Sequence, residues 1–101
     1  MNFLVGARYF QNSQGDRVLR VELLNRLSYE MVGFRVQLTY DNDKIVFRDA
    51  PERVRPNEKF HVDFKIKLTG ETLRYAVKCF PKVGDLDQFK DYFSESNLER
   101  D

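Results

Sequence analysis

From Phe60 onward every second residue is large and apolar: Phe60, Val62, Phe64, Ile66 and Leu68 alternate with His61, Asp63, Lys65 and Lys67. Side chains of a strand leave alternately on opposite faces, so this pattern predicts a strand with one face in a core and one in water. An amphipathic helix would not carry it, because a step of about 100° per residue would scatter the charges through the apolar stripe.

The same alternation recurs along the chain at lower strength. Residues 3–10 put Phe3, Val5, Ala7 and Tyr9 on one phase. Leu19, Val21 and Leu23 alternate with Arg20 and Glu22 in a second strand that ends near Asn25. Phe34, Val36, Leu38 and Tyr40 alternate with Arg35, Gln37 and Thr39. Ile45 and Phe47 share a phase in a short strand, and Leu73, Tyr75, Val77 and Cys79 mark another. Turn residues separate these runs: 11–16, Asp41-Asn42-Asp43 and Thr69-Gly70-Glu71. Residues 26–30 form a connector, and Pro51 and Pro56 bracket a loop, since proline cannot donate to a ladder. Short, frequent strands between turn signals predict a mostly antiparallel β-sandwich of about six strands, spanning residues 1–84.

The period changes after Gly84. Asp85 and Gln88 have capping-box spacing, and Leu86, Phe89 and Phe93 fall on one helical face. Asp85, Asp87 and Asp91 lie towards the positive start of such a helix, where acidic groups are favoured. Residues 85–101 are therefore expected to form a short C-terminal α-helix and tail. A helix this short needs a partner surface, and the same domain's sheet is the expected one.

Composition changes this picture little. A chain of 101 residues with nine Phe and five Tyr can build one core. Its 17 basic and 16 acidic residues give a net charge of +1, which supplies no whole-chain attraction to nucleic acid or membrane. No stretch approaches the apolar length of a membrane span. The first residues lack the basic and apolar regions of a signal peptide, and the single Cys79 cannot form an internal disulfide. Those two features point to a reducing, cytoplasmic setting.

Catalytic patterns are missing from the sequence. His61 is the only histidine and sits on the polar phase of its strand, whereas Cys79 sits on an apolar phase. Neither a Cys-His dyad nor a zinc ligand set can be assembled from them. Asp41-Asn42-Asp43 lacks the downstream Gly and Glu of a calcium loop. The reading is a non-enzyme with no cofactor and no metal. The suggestive chemistry is positive: if strands 31–40 and 72–80 share a sheet, Arg35, Arg74 and Lys78 gather on its outer face around Ala76. Such a patch suits an acidic or phosphorylated peptide, although long cations also simply keep a sheet face soluble.

The order of elements resembles a known group of modules. Residues 19–25, Leu-Arg-Val-Glu-Leu-Leu-Asn, are similar to the apolar strand ending in Asn of immunoglobulin-like domains. There follow the strand at 31–38, a short strand, a Pro56-Asn57-Glu58 turn and the long strand. Over residues 17–80 this order resembles the immunoglobulin-like β-sandwich of clathrin-adaptor appendages, the ear domains. The resemblance implies a docking module for short peptide motifs that needs no cofactor. It departs at the end, where the expected helix replaces a final strand, and no ear-type binding residue transfers.

The function expected from the sequence is thus a non-enzymatic protein–protein interaction module with a protein or peptide partner, possessing no membrane span. Alternatives are a nucleic-acid or anionic-polymer binder using basic strands and aromatics, and a self-assembling structural subunit or other homo-oligomer.

Overall fold

The computed structural model describes the backbone of residues 3–41, 44–68, 72–81 and 93–99, with side chains for 3–41, 44–68 and 75–80. The chain is mostly β, and its strands form antiparallel sheets. β1 (Leu4–Gln11), β2 (Arg17–Leu24) and β7 (Lys59–Lys65) make one sheet, in the order β1-β2-β7. β4 (Phe34–Tyr40), β5 (Lys44–Asp49), β8 (Thr72–Pro81) and β9 (Phe93–Glu99) make another, in the order β5-β4-β8-β9. The two-residue strands β3 (Met31–Val32) and β6 (Arg53–Val54) pair with each other.

Alternation places the core as the sequence predicts. Leu19, Val21 and Leu23 of β2 stand opposite Phe64, Val62 and Phe60 of β7. Val36 and Leu38 of β4 stand opposite Cys79 and Val77 of β8. All ten are buried, and residues of both sheets belong to one core cluster. The ladder of β7 stops at Lys65, yet Ile66 and Leu68 keep the buried phase. Tyr9 holds this stretch: its hydroxyl donates to Ile66 O (3.3 Å) and accepts from Leu68 N–H (3.2 Å).

Two expectations need correction. Val5, expected beside Phe3 and Ala7, is 44% exposed, because the register slips between Leu4 and Gly6. Such a bulge sets two residues against one and turns a side chain to the other face. Secondly, Phe93, expected on the C-terminal helix, opens β9, which pairs with β8 from Lys78↔Phe93 to Thr72↔Glu99. A final strand is therefore present where the helix was expected to replace it. Most of the expected helix, residues 85–92, lies outside the described residues, as does the expected turn at Thr69-Gly70-Glu71. On β5, the phase that Ile45 and Phe47 share faces outward while Val46 turns towards the core, since Ile45 pairs with Thr39, Phe47 with Gln37 and Val46 with Leu38.

The connections follow local chemistry. Asn12 Oδ1 accepts the N–H groups of Gln14 (3.0 Å) and Asp16 (2.9 Å), and Gly15 takes φ +85°, which a side chain would resist. At the other end, Glu58 N–H reaches Arg55 O (3.1 Å) across Pro56 and Asn57. With Asn57 at φ +64° this is a type II turn, in which proline presets the second position and asparagine tolerates the third.

Candidate functional site

The outer face of the four-stranded sheet is built by the outward phases of β5, β4 and β8. β5 contributes Ile45, Phe47 and Asp49; β4 contributes Arg35, Gln37 and Thr39; β8 contributes Ala76, Lys78 and Phe80. Register brings Arg35 opposite Asp49 on one side and Phe80 on the other, while Gln37 stands between Phe47 and Lys78. Arg35 and Lys78 are therefore diagonal neighbours on one face, as the sequence predicts. Arg74 lies on β8 across from Asn97, with its side chain outside the described residues.

This face is less uniformly basic than expected. The Arg35 guanidinium lies 5.5 Å from the centre of the Phe47 ring, and its Nε is 3.8 Å from Asp49 Oδ1. That distance is too long for a hydrogen bond, and the buried Nε meets no acceptor among the described residues. Phe80 is only 7% exposed although it lies off the core cluster: its ring packs edge-on against Phe47, centroids 6.4 Å apart at 87°. Ile45 (53% exposed) and Phe47 (48%) remain open to solvent. The face thus combines an aromatic–aliphatic strip, a cation laid over it and a second cation, Lys78, on the next strand. Alternation alone did not reveal the strip, because Phe80 follows the apolar phase ending in Cys79 by a single residue.

The edge beside this face pairs with no further strand among the described residues. β5 ends its sheet and β7 ends the other, and between them run shallow grooves. One, of about 400 Å³, is lined by Val46, Arg48, Phe64, Lys65 and Ile66 together with Ile45 and Phe47. Its neighbour, of about 370 Å³, lies between Arg48, Asp49 and Pro51 on one wall and His61, Val62 and Asp63 on the other.

The outer face of the three-stranded sheet is more self-contained. Arg20 donates through Nε and Nη2 to Asp63 Oδ1 (2.8 Å) and Oδ2 (3.0 Å), directly across the ladder. The Arg20 hydrogen bonds hold the Asp63 carboxyl below its ordinary range. The contribution of this pair is present above the unfolded carboxylate pKa and fades as pH falls through the lowered folded value. Arg8 and Arg20 both lie over the Phe10 ring, at 5.0 and 5.2 Å.

Cys79 is buried, and that burial pushes its thiol up to about 12. A nucleophilic role needs an accessible thiolate, so this cysteine packs rather than reacts. A thiol reagent such as DTNB at pH 8 is expected to leave Cys79 unmodified in the native chain and to titrate one thiol in urea. Rapid native labelling would show that β8 opens.

His61 is exposed on β7, opposite Glu22. Among the described residues no group of three or more His, Cys, Asp or Glu is placed to hold a metal, and no helix is long and apolar enough to cross a membrane. No family model, curated protein or solved structure matches this chain.

Proposed function

We propose that this chain is a non-enzymatic docking module with an immunoglobulin-like β-sandwich, and that its outer four-stranded face receives an acidic peptide of a partner protein. The strand order supports the fold reading. An immunoglobulin-type sandwich sets strands A, B and E in one sheet and G, F, C and C′ in the other. β1-β2-β7 and β9-β8-β4-β5 follow that order, with β5 beside β4 as a C′ strand rather than beside β7 as a D strand.

The single observation that carries the functional reading is the juxtaposition of half-exposed Ile45 and Phe47 with the incompletely satisfied guanidinium of Arg35. Exposed aromatic and arginine side chains are the groups that dominate protein interfaces. An incoming carboxylate would give Arg35 a closer acceptor than Asp49 does.

The test is a pull-down from the native host with mass spectrometry of what is retained. Changing Arg35→Glu and Arg74→Glu together, in a chain whose thermal transition is preserved, is expected to abolish partner capture. An unchanged set of retained proteins would reduce the patch to a solubilising surface. A second reading, anionic-polymer binding, draws on Phe10 flanked by Arg8 and Arg20. It requires retained nucleic acid and an affinity that falls steeply with salt.

A further inference from the structure

We propose that β5 accepts an acidic, extended segment of a partner protein as an added strand, which deepens and rests on the docking reading above. The backbone geometry of β5 carries the proposal. Ala50 N–H donates to Phe34 O (3.0 Å), which marks Phe34 and Ala50 as a hydrogen-bonded pair in the β4–β5 register. Such pairs alternate in an antiparallel ladder, so Arg48, Val46 and Lys44 turn their backbone groups to β4. Ile45 and Phe47 turn theirs away from β4, to a side where no strand pairs among the described residues.

An added strand would exchange backbone hydrogen bonds with Ile45 and Phe47. Its residues opposite these two would lie on the same outer face, next to two half-exposed apolar side chains. Those positions call for apolar residues. The alternate positions would stand beside Lys44, Val46 and Arg48 and face the groove lined by Phe64, Lys65 and Ile66. Lys44 and Arg48 are both exposed; Arg48 makes no ion pair among the described residues, and Lys44 reaches Asp41 only at 4.0 Å. The complementary segment therefore reads acidic, apolar, aliphatic, apolar, acidic. The pattern is the same in either direction.

The same charges argue against a second copy as the occupant. Antiparallel self-pairing centred on Val46 would set Lys44 beside Arg48 of the other copy, twice. Centring on Phe47 would set Ile45 beside Asp49 and Val46 beside Arg48. Inward-pointing charges on an edge strand are a common guard against self-association. Here they reject a copy and match an acid-bearing partner.

The test uses the full chain and a fluorescent peptide, Ser-Glu-Ile-Val-Phe-Glu-Ser, followed by anisotropy. Controls are a scrambled peptide and one carrying Lys for both Glu. The matched peptide is expected to bind saturably, and the Lys peptide about tenfold more weakly. Ile45→Pro removes an outward N–H without removing a bond to β4, and should weaken binding by about tenfold or more. Arg48→Glu should turn the preference towards the Lys peptide. Absence of saturable binding to the folded chain, or undiminished binding by Ile45→Pro, overturns strand addition. If binding survives Ile45→Pro but is lost in Arg35→Glu, the docking reading stands without the added strand. A dimer in sedimentation that Ile45→Pro dissociates, with no peptide bound, assigns the edge to a second copy and also overturns the proposal. Should Ile45→Pro fail to fold, an unchanged peptide preference in Arg48→Glu overturns it.

Discussion

Replacing Phe64 by alanine is expected to lower the unfolding free energy by about 3–5 kcal/mol, the range for aromatic truncation in a packed interior. Phe64 is almost fully buried as the last inward residue of β7, opposite Leu19, and belongs to the core cluster. A loss of this size is a large part of the roughly 5–15 kcal/mol that holds a domain folded. Lys65→Ala, one residue on, removes only an exposed ion pair to Asp16 at 3.5 Å and should cost well under about 1 kcal/mol. Urea denaturation checks both through the midpoint at unchanged slope. Equal midpoints would mean that β7 presents the other phase to the core.

Asn25→Asp should be damaging in a different and pH-dependent way. Asn25 is the one buried polar residue among those described, and its amide is fully used. Nδ2 donates to Tyr29 O (3.1 Å) and Val54 O (3.0 Å), and Oδ1 accepts Leu27 N–H (2.9 Å). Its own N–H and C=O meet Glu58 O (3.0 Å) and Asn57 N–H (2.8 Å), so it ties the end of β2 to the turn before β7. An aspartate would aim a carboxylate at two carbonyl oxygens in a site without solvent, at a cost of roughly 3–5 kcal/mol near neutrality. Both effects raise the folded pKa above the unfolded one. The variant should therefore be most stable below the unfolded pKa of about 4 and lose stability as pH rises. Thermal melts from pH 3 to pH 7, set against Asn25→Ala, separate the charge penalty from the lost hydrogen bonds. A flat difference between the two variants across that range would contradict the geometry.

Alternation made the buried faces of β2, β4, β7 and β8 legible, because each carries an apolar run on one phase (Leu19, Val21 and Leu23 in β2) with mainly charged or polar residues between its members. Val5 escaped because a bulge inserts a residue without altering composition; only the adjacent Gly6 hinted at an irregularity. Two-residue strands such as β3 and β6 are too short to show any period. In β9 the run Ser94-Glu95-Ser96-Asn97 has no apolar phase, so the preceding helical spacing dominated the reading. The basic patch was legible as Arg35 and Lys78 from their positions on two strands. Its aromatic half was not, since which phase of β5 faces outward depends on its register with β4, which neither strand states alone.

The strand order has a kinetic consequence. β4 and β5 follow one another in the chain and can pair early, whereas β2 must wait for β7, with Arg20 and Asp63 separated by 43 residues. Closing loops of that length before any contact rewards them slows the search, and all-β chains rich in such non-local pairings fold on the order of milliseconds to seconds. During that interval a β4–β5 hairpin would exist without β7 beside it, leaving Val46, Phe47 and the free amides of the edge uncovered. The cations at Lys44 and Arg48 would then protect the nascent chain as well as the finished one. Neutralising both is expected to lower refolding yield at high protein concentration more than it lowers equilibrium stability.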